Sequence, residues 1–407
     1  MQAIILCGGE SSRMQPLSNK NFFKIQSLPL IQHRIEDLQK AGFSKFIFVV
    51  SPAIQEQVQE LVKKLDLTAE ILVQKQTGGM SQAILSIPRD LLNQPSLVVS
   101  ANDSVDLDLL SQLKQKSENM QSDALIVGKK ITEYFPGGYL VVDDNNMLQS
   151  IVEKPDPKEL PSDMINIVYH LFKNPDQFQD LISQLQKGSS SDDIYERALA
   201  SLIESGGQVE VFPYKGAWQA LKNPWHAYSK FRMYLEKSPA SIHDSAQVHP
   251  TATIEGHVVI EANAKIDANA VIKGPAYIGK NTIIGVGSFI RESFIEHDCT
   301  IGYNSEISRS VFQDNSSTHT GFIGDSVIGS NVQISHGVCT ANQRLDKGLI
   351  EGKPKLGVAI GNNVKVGIGV KFMPGVRVGA NSIIMPSCII KSNIPANTKV
   401  PSPFKFS

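Results

Sequence analysis

From Ile242 onward an apolar residue returns at every sixth position: Ile242, Val248, Ile254, Ile260, Ile266, Ile272, Ile278, Ile284 and Ile290. An α-helix, at about 3.6 residues per turn, does not put residues six apart on one face. A parallel β-helix does, because each rung buries its apolar side chains against the next. Small residues follow four positions behind several of these: Ala246, Ala252, Ala264, Ala270 and Ala276. The register slips near Ile295 and resumes at Ile301 and Ile307. It returns at Ile328 and Ile334, then at Ile360, Val366, Phe372, Val378, Ile384 and Ile390. Two interruptions read as inserted loops, which in solenoids gather on one, often binding, side. One spans roughly Phe312–Ile323 and contains His319. The other, Cys339–Val358, carries Arg344, Lys347, Lys353 and Lys355.

The chain before residue 238 has a different texture. Short apolar runs alternate with helical patterns. MQAIILCGG reads as a buried strand ending in glycines. LIQHRIEDLQKAGF carries Leu30, Ile31, Ile35, Leu38 and Ala41 at helical spacing, with Gly42 as a stop. FIFVVS, AEILVQ and SLVVSAND continue as strands, with IQEQVQELVKKL and MSQAILSI as helices between them. This β-α-β-α order predicts a doubly wound, mainly parallel sheet over residues 1–237, followed by a β-helical domain over 238–407.

The 39 basic and 40 acidic side chains leave a net charge of −1, which gives no electrostatic footprint for nucleic acid or an anionic membrane. No apolar run approaches the ~20 residues that cross a bilayer. The N-terminus lacks the basic and apolar regions of a signal peptide, so a cytoplasmic protein is expected. Cys7, Cys299, Cys339 and Cys388 are widely spaced and form no C-x-x-C pair, which fits neither a zinc site nor a disulfide framework.

The first strand runs into a turn at Gly8 and Gly9, then Arg13 and Lys20, in LCGGESSRMQPLSNKNFFKI. Glycines let a backbone approach a ligand closely and expose N–H groups to phosphate. Arg13 can grip phosphate oxygens in a fork, and Lys20 can add a point charge. This segment resembles the opening of the sugar-nucleotide pyrophosphorylases, G-x-G-[ST]-R-M followed by P-K. The Arg-to-Lys spacing is most similar to that of the bifunctional N-acetylglucosamine-1-phosphate uridylyltransferases. SSRM also occurs in molybdenum-cofactor guanylyltransferases. Ser11 stands for the third glycine and Asn19 for the proline before Lys20.

Later segments resemble that family in order. VQKQTGGMSQAI looks like its nucleobase segment, with Gln74 and Gly79 matching and Met80 in place of threonine. SANDSVD places Asp103 at the family's metal-binding aspartate, where it would hold Mg²⁺ against nucleotide phosphates. GGYLVVDDNNMLQSIVEKP supplies Gly138, Glu153 and Lys154; the resemblance gives Glu153 the sugar hydroxyls, and Asn166 a sugar contact. Where many relatives have W-x-D-I-G, this chain has Ala220; the resemblance then points to Asn223 in ALKNPW as second metal ligand.

Residues 242 to about 400 resemble the left-handed β-helical acyltransferases. THTGFIGDSVIGSNVQISHGVCTAN looks like the acetyltransferase half of the same bifunctional enzymes, H-x-x-Y-x-G-D then A-N or C-N. The resemblance makes His319 the general base for the attacking amine, with His336 as a substitute, and Asn342 the amine-side asparagine. Glu306 would orient the substrate or His319, and Lys353 or Lys355 would meet the sugar phosphate or coenzyme A phosphates. Phe322, Gln333 and Gln343 depart from the pattern. The resemblance implies a homotrimer, UTP, a hexosamine 1-phosphate and acetyl-CoA as substrates, Mg²⁺ as metal, and UDP-N-acetylglucosamine and pyrophosphate as products. Two alternatives stay open: a monofunctional pyrophosphorylase for another sugar with a structural β-helix, and a non-catalytic regulatory or scaffold chain, which Ser11, Asn19, Met80 and Ala220 motivate.

Overall fold

The computed structural model describes residues 1–17, 19–75, 78–187 and 193–404. Main-chain contacts divide the chain into two compact units, Met1–Glu10 with Ile31–Trp218, and Ser11–Leu30 with Gln219–Ser407.

The first unit is built on strands β1 (Gln2–Cys7), β2 (Lys45–Val50), β3 (Ala69–Val73) and β4 (Ser96–Ser100), with helices α1 (Leu30–Lys40), α2 (Gln55–Lys64) and α3 (Gly79–Leu85) on the connections. Helix α4 (Leu107–Glu118) leads to β5 (Ala124–Lys130), β6 (Gly138–Val142), β7 (Leu148–Glu153) and β8 (Met164–Phe172). Helices α5 (Pro175–Gln186) and α6 (Ile194–Glu204) precede β9 (Val209–Tyr214). The sheet order is β7-β6-β8-β4-β1-β2-β3, with β5 bonded to β8 and β9. Strands β3, β2, β1 and β4 are parallel. The sheet is mainly parallel, as expected, with two reversed strands: β8 runs antiparallel to β4 and β5, and β7 antiparallel to β6. The reason is local. The few residues between β6 and β7 allow a hairpin, whereas a parallel return needs a longer crossover.

The second unit is a stack of parallel two- to four-residue strands in three sheets, the architecture of a left-handed hexapeptide β-helix. A first face starts at Ser241–Ile242, a second at Gln247–Val248 and a third at Thr253–Glu255. Ile260, Ile266, Ile272 and their successors fill a dry interior. Early coils take eighteen residues, as in the pairing of Val259 with Tyr277. The next are shorter: Tyr277 pairs with Phe294, and Phe294 with Val311, seventeen residues on. That lost residue is the slip near Ile295. Many coil corners carry asparagine in the left-handed region, among them Asn263, Asn281, Asn331, Asn363 and Asn381. Asparagine tolerates this conformation better than most residues. Their amides stack, with Asn363 Nδ2 donating to Asn381 Oδ1 at 2.9 Å.

One expectation is corrected here. Phe312–Ile323 is not an inserted loop. Phe312 and Ile323 both point inward, Ser317–Thr318 and Gly321–Gly324 are strands, and the coil from Val311 to Val327 is sixteen residues long. The apolar period disappears because buried Thr318 takes an inward place, its hydroxyl donating to the His319 carbonyl at 2.9 Å. Cys339–Val358 does contain a loop: Val327 pairs with Ala359, thirty-two residues on.

Residues 219–237 and 11–30 group with the β-helix. The first face turns Val259, Tyr277, Phe294, Val311 and Val327 outward, and Met14, Leu17, Phe23, Trp225 and Phe231 cover them. Phe231, in helix α7 (Ala227–Leu235), stacks on Phe294 at 4.5 Å. Among the described residues the second face has no such cover, and Ile283 is 37% exposed. Phe294→Ala is expected to cost about 3–5 kcal/mol, and Ile283→Ala less than about 1 kcal/mol. Urea unfolding of both variants checks the contrast.

Candidate functional site

In the first unit, strand register assembles the site. Leu6 pairs with Ser100 on one side, and Cys7 with Val50 on the other. Gly8 therefore lies level with Asn102, and Gln74, which follows β3, lies level with Gly8 across β2. Tyr169 pairs with Val99, which puts Asn166 level with Asn102. Ile165 pairs with Tyr139, and Glu153 with Gly138, which brings Gly138 and Glu153 to the same line. Gln74, Gly8, Asp103, Asn166, Gly138 and Glu153 thus line the edge at the carboxyl ends of the parallel strands. Open α/β sheets bind ligands at this edge.

The local contacts are tight. A Cβ on Gly8 would sit 2.1 Å from Gln74 Oε1, so the glycine leaves Gln74 its present position beside the turn. Gln74 Nε2 reaches the Gly79 carbonyl at 3.5 Å. Gln76 and Thr77, between them, lie outside the described residues. A Cβ on Gly138 would come within 3.3 Å of Glu153 Oε2, so the glycine leaves the carboxylate its space. Lys154 Nζ lies 3.3 Å from Glu153 Oε1.

Asp103 is buried and held from several sides. Arg34 Nη2 donates to its carbonyl at 2.6 Å, and the Tyr169 hydroxyl donates to the same oxygen at 2.8 Å. Asn102 Nδ2 donates to Oδ1 at 3.1 Å, and Trp218 Nε1 to Oδ2 at 3.4 Å. Arg34, 1% exposed, also stacks on the Tyr169 ring. The sequence carries no local signal for Arg34 or Tyr169, because their roles arise from strand order. Trp218 sits in the segment where Ala220 replaces an aspartate.

Asn166 Oδ1 lies 2.8 Å from His170 Nε2, and His170 Nδ1 lies 2.8 Å from the Tyr195 hydroxyl. The neutral ring has one N–H to give. Nε2–H serves the Asn166 carbonyl and the Tyr195 hydroxyl serves Nδ1, which leaves the Asn166 amide N–H groups for a ligand. Complete burial pushes the His170 pKa down to about 3.

Arg13 and Lys20 belong to the second unit. Arg13 is exposed on the short helical turn Ser12–Met14, which Met14 anchors in the apolar cluster. Ser11 is in the left-handed region at φ 55°, a conformation natural for the glycine it stands for; its Oγ accepts from the Lys20 backbone N–H at 3.3 Å. Asn223 Oδ1 is buried and has no hydrogen-bond partner among the described residues. Asn223 Nδ2 lies 3.5 Å from His226 Nε2.

On the β-helix, His319 is exposed at the corner between the second and third faces, and His336 is exposed at the same corner one coil on. Asn342 lies at the other end of the third face. Its Nδ2 donates to Asp325 Oδ2 at 2.5 Å, one coil below. The strand Gly321–Gly324 separates the two corners, a span on the order of 10 Å. One chain therefore does not bring His319 and Asn342 together. Beside Asn342 a cavity of about 320 Å³ is lined by Phe322, Cys339, Thr340, Lys371 and Met373. Glu306 stands two rungs below Cys339 on the same face, and its Oε1 accepts from Ser308 Oγ at 3.2 Å. Lys353 and Lys355 are exposed in the 341–357 loop. Glu351 in that loop accepts from Trp225 Nε1 at 2.9 Å and from Arg377 Nη2 at 2.8 Å.

Residues 2–236 match the nucleotidyl transferase family model, and residues 237–345 match the GMPPB C-terminal domain. A bifunctional sugar-1-phosphate nucleotidylyltransferase/acetyltransferase of Sulfurisphaera tokodaii is 30% identical, with 97% of this chain and 98% of that one covered. The chain belongs to this family of bifunctional nucleotidylyltransferase/acetyltransferases. The bifunctional protein GlmU of Methanocaldococcus jannaschii is likewise 30% identical, over 98% of this chain and 97% of its own. Among solved structures, UDP-glucose pyrophosphorylase complexed with UDP-glucose superposes with a TM-score of 0.51 at 18% identity, covering 58% of this chain and 99% of that one. That likeness concerns the nucleotidyltransferase fold alone.

The His170 environment makes stability fall in acid. The unfolded ring takes a proton near its ordinary pKa of ~6.5 while the folded ring stays neutral to about 3. This contribution is complete above ~6.5 and is lost as pH falls toward 3. Between pH 7 and pH 5 the wild-type protein is expected to lose about 2 kcal/mol more unfolding free energy than His170→Gln. Denaturant unfolding at the two pH values checks this.

Proposed function

We propose that the chain acetylates glucosamine 1-phosphate from acetyl-CoA, and joins N-acetylglucosamine 1-phosphate to UTP, giving UDP-N-acetylglucosamine and pyrophosphate. The observation that carries the second reaction is the common line of Gln74, Gly8, Asp103, Asn166, Gly138 and Glu153 at the sheet edge. Gly8, Gly9, Gln74 and Gly79 would receive the nucleotide. Glu153 would accept hydrogen bonds from sugar hydroxyls, and Asn166, its carbonyl already engaged by His170, would donate its amide N–H groups to a sugar oxygen. A phosphate oxygen of the sugar phosphate attacks the α-phosphorus, and the bond to pyrophosphate breaks. Arg13 and Lys20 would neutralise the charge that grows on the phosphate oxygens.

The donor set suits Mg²⁺, a hard cation that binds through one or two carboxylates together with substrate phosphates. In the first unit Asp103 offers a buried carboxylate, and the family resemblance would add Asn223 of the second unit as a further ligand. Among the described residues no cluster of three or more His, Cys, Asp or Glu offers a fuller cage. When bound, the ion would offset phosphate charge; Arg34 and Tyr169 would keep Asp103 in place.

For acetyl transfer, His319 would take a proton from the attacking amine, whose nitrogen adds to the thioester carbonyl. Collapse expels the thiolate, which takes up a proton. Asn342 would accept from the amine, Glu306 would orient the substrate, and Lys353 or Lys355 would meet phosphate groups. The separation of His319 from Asn342 within one chain favours a site completed by a second copy, as a homotrimer would provide. The exposed setting of His319 supports access to substrate. No helix among the described residues is long and apolar enough to cross a membrane, and a cytoplasmic site for this chemistry fits four free thiols.

The match of residues 237–345 to the GMPPB C-terminal domain favours a second reading, a pyrophosphorylase for another sugar whose β-helix is structural. Two variants separate the readings. Asp103→Ala is expected to abolish pyrophosphate release and leave coenzyme A release intact. His319→Ala is expected to slow acetyl transfer ~10²–10⁴-fold and spare pyrophosphate release. Unchanged acetyl transfer in His319→Ala would reject the assigned base, and no thiol release from the wild-type protein would favour the second reading.

A further inference from the structure

Asn342 is not held by the β-helix backbone alone. Arg309 faces Asp325 as a fork, Nε donating to Oδ1 at 2.6 Å and Nη2 to Oδ2 at 2.8 Å. Asp325 Oδ2 accepts in addition from Asn342 Nδ2 at 2.5 Å. The Asp325 side chain is only 12% exposed and that of Arg309 24%, so the three groups form a mostly dry chain beside the Cys339–Lys371 cavity.

The charge of Asp325 decides which way the Asn342 amide faces. A carboxylate oxygen repels a carbonyl oxygen and accepts from an N–H, so Nδ2 must point at Asp325. Asn342 Oδ1 is then the end left for a ligand. A primary amine attacking a thioester needs an acceptor for one N–H while its lone pair stays free. An amide turned the other way would offer a donor, which would compete for that lone pair. Arg309 holds Asp325 against rotation through its two-point fork. Asp325 takes up its position at a corner, with φ 50°, and its main-chain carbonyl accepts from Gly357 N–H at 2.8 Å. Both charged residues are therefore anchored to successive coils.

We propose that Asp325, braced by Arg309, is a positioning residue for acetyl transfer. It fixes the Asn342 carboxamide so that its carbonyl faces the amino group of the sugar. This rests on the acetyl-transfer reading given above, and the test distinguishes the failure of either.

Steady-state kinetics of the full chain would compare Asp325→Ala, Asp325→Asn, Arg309→Gln and Asn342→Ala. Asp325→Ala is expected to lower kcat/KM for glucosamine 1-phosphate about ten- to a hundredfold, the scale for losing a hydrogen bond to a charged group. The KM for acetyl-CoA and pyrophosphate release are expected to stay unchanged. Asp325→Asn, which can still accept from Asn342, is expected to restore the rate to within about threefold, and Arg309→Gln to cost about threefold. Should Asp325→Ala prove unstable, the Asp325→Asn and Arg309→Gln values decide. Wild-type kinetics for the amino sugar in Asp325→Ala, with Asn342→Ala impaired, would overturn the positioning role alone. Unimpaired acetyl transfer in Asn342→Ala would overturn the reading beneath it, and the proposal with it. A rise in the KM for acetyl-CoA that matches the loss for the amino sugar would also contradict it.

Discussion

Main-chain ladders between parallel strands set where every polar residue of interest stands. In the first unit the pairing of Leu6 with Ser100 and Tyr169 with Val99 brings six distant residues onto one edge. In the second, the pairing of Phe322 with Cys339 stacks Asn342 above Asp325. A slip of one residue would turn each buried row toward solvent, so the apolar side chains fix the register and the register fixes the sites. The β-helix can lose a residue per coil at its corners because its inward residues still superpose.

The polar groups at both sites are held by partners that do no chemistry themselves. Asp103 receives four donors, two on its carbonyl and two on its carboxylate. Asn166 leans on a histidine that burial keeps neutral, and Asn342 leans on an ion pair. Such shells restrict rotation of the groups a ligand would meet, and fixed dipoles cost little reorganisation when charge develops.

Much of this was legible in the sequence, and the reasons for the remainder are physical. The hexapeptide period announced the β-helix because each inward residue repeats in every coil. The glycine turn, Asp103 and Glu153 were legible because each sits at the end of a recognisable strand. The two reversed strands were not: a hairpin and a crossover begin with similar apolar runs, and the short turn between β6 and β7 decides. Thr318 hid a regular coil by replacing an apolar residue, so Phe312–Ile323 read as a loop. The aromatic side chains of residues 219–237 cover the first face of the β-helix, a packing that leaves no periodic signal in the sequence. Arg34, His170 and Arg309 carried no signal, since their partners lie far along the chain or depend on coil length.

The central claim is that one polypeptide carries two catalytic pockets. It is tested most directly by two assays on the same purified wild-type protein. One follows pyrophosphate release from UTP with N-acetylglucosamine 1-phosphate, the other thiol release from acetyl-CoA with glucosamine 1-phosphate. The account predicts turnover in both. Pyrophosphate release without any thiol release, or silence in both, would contradict it.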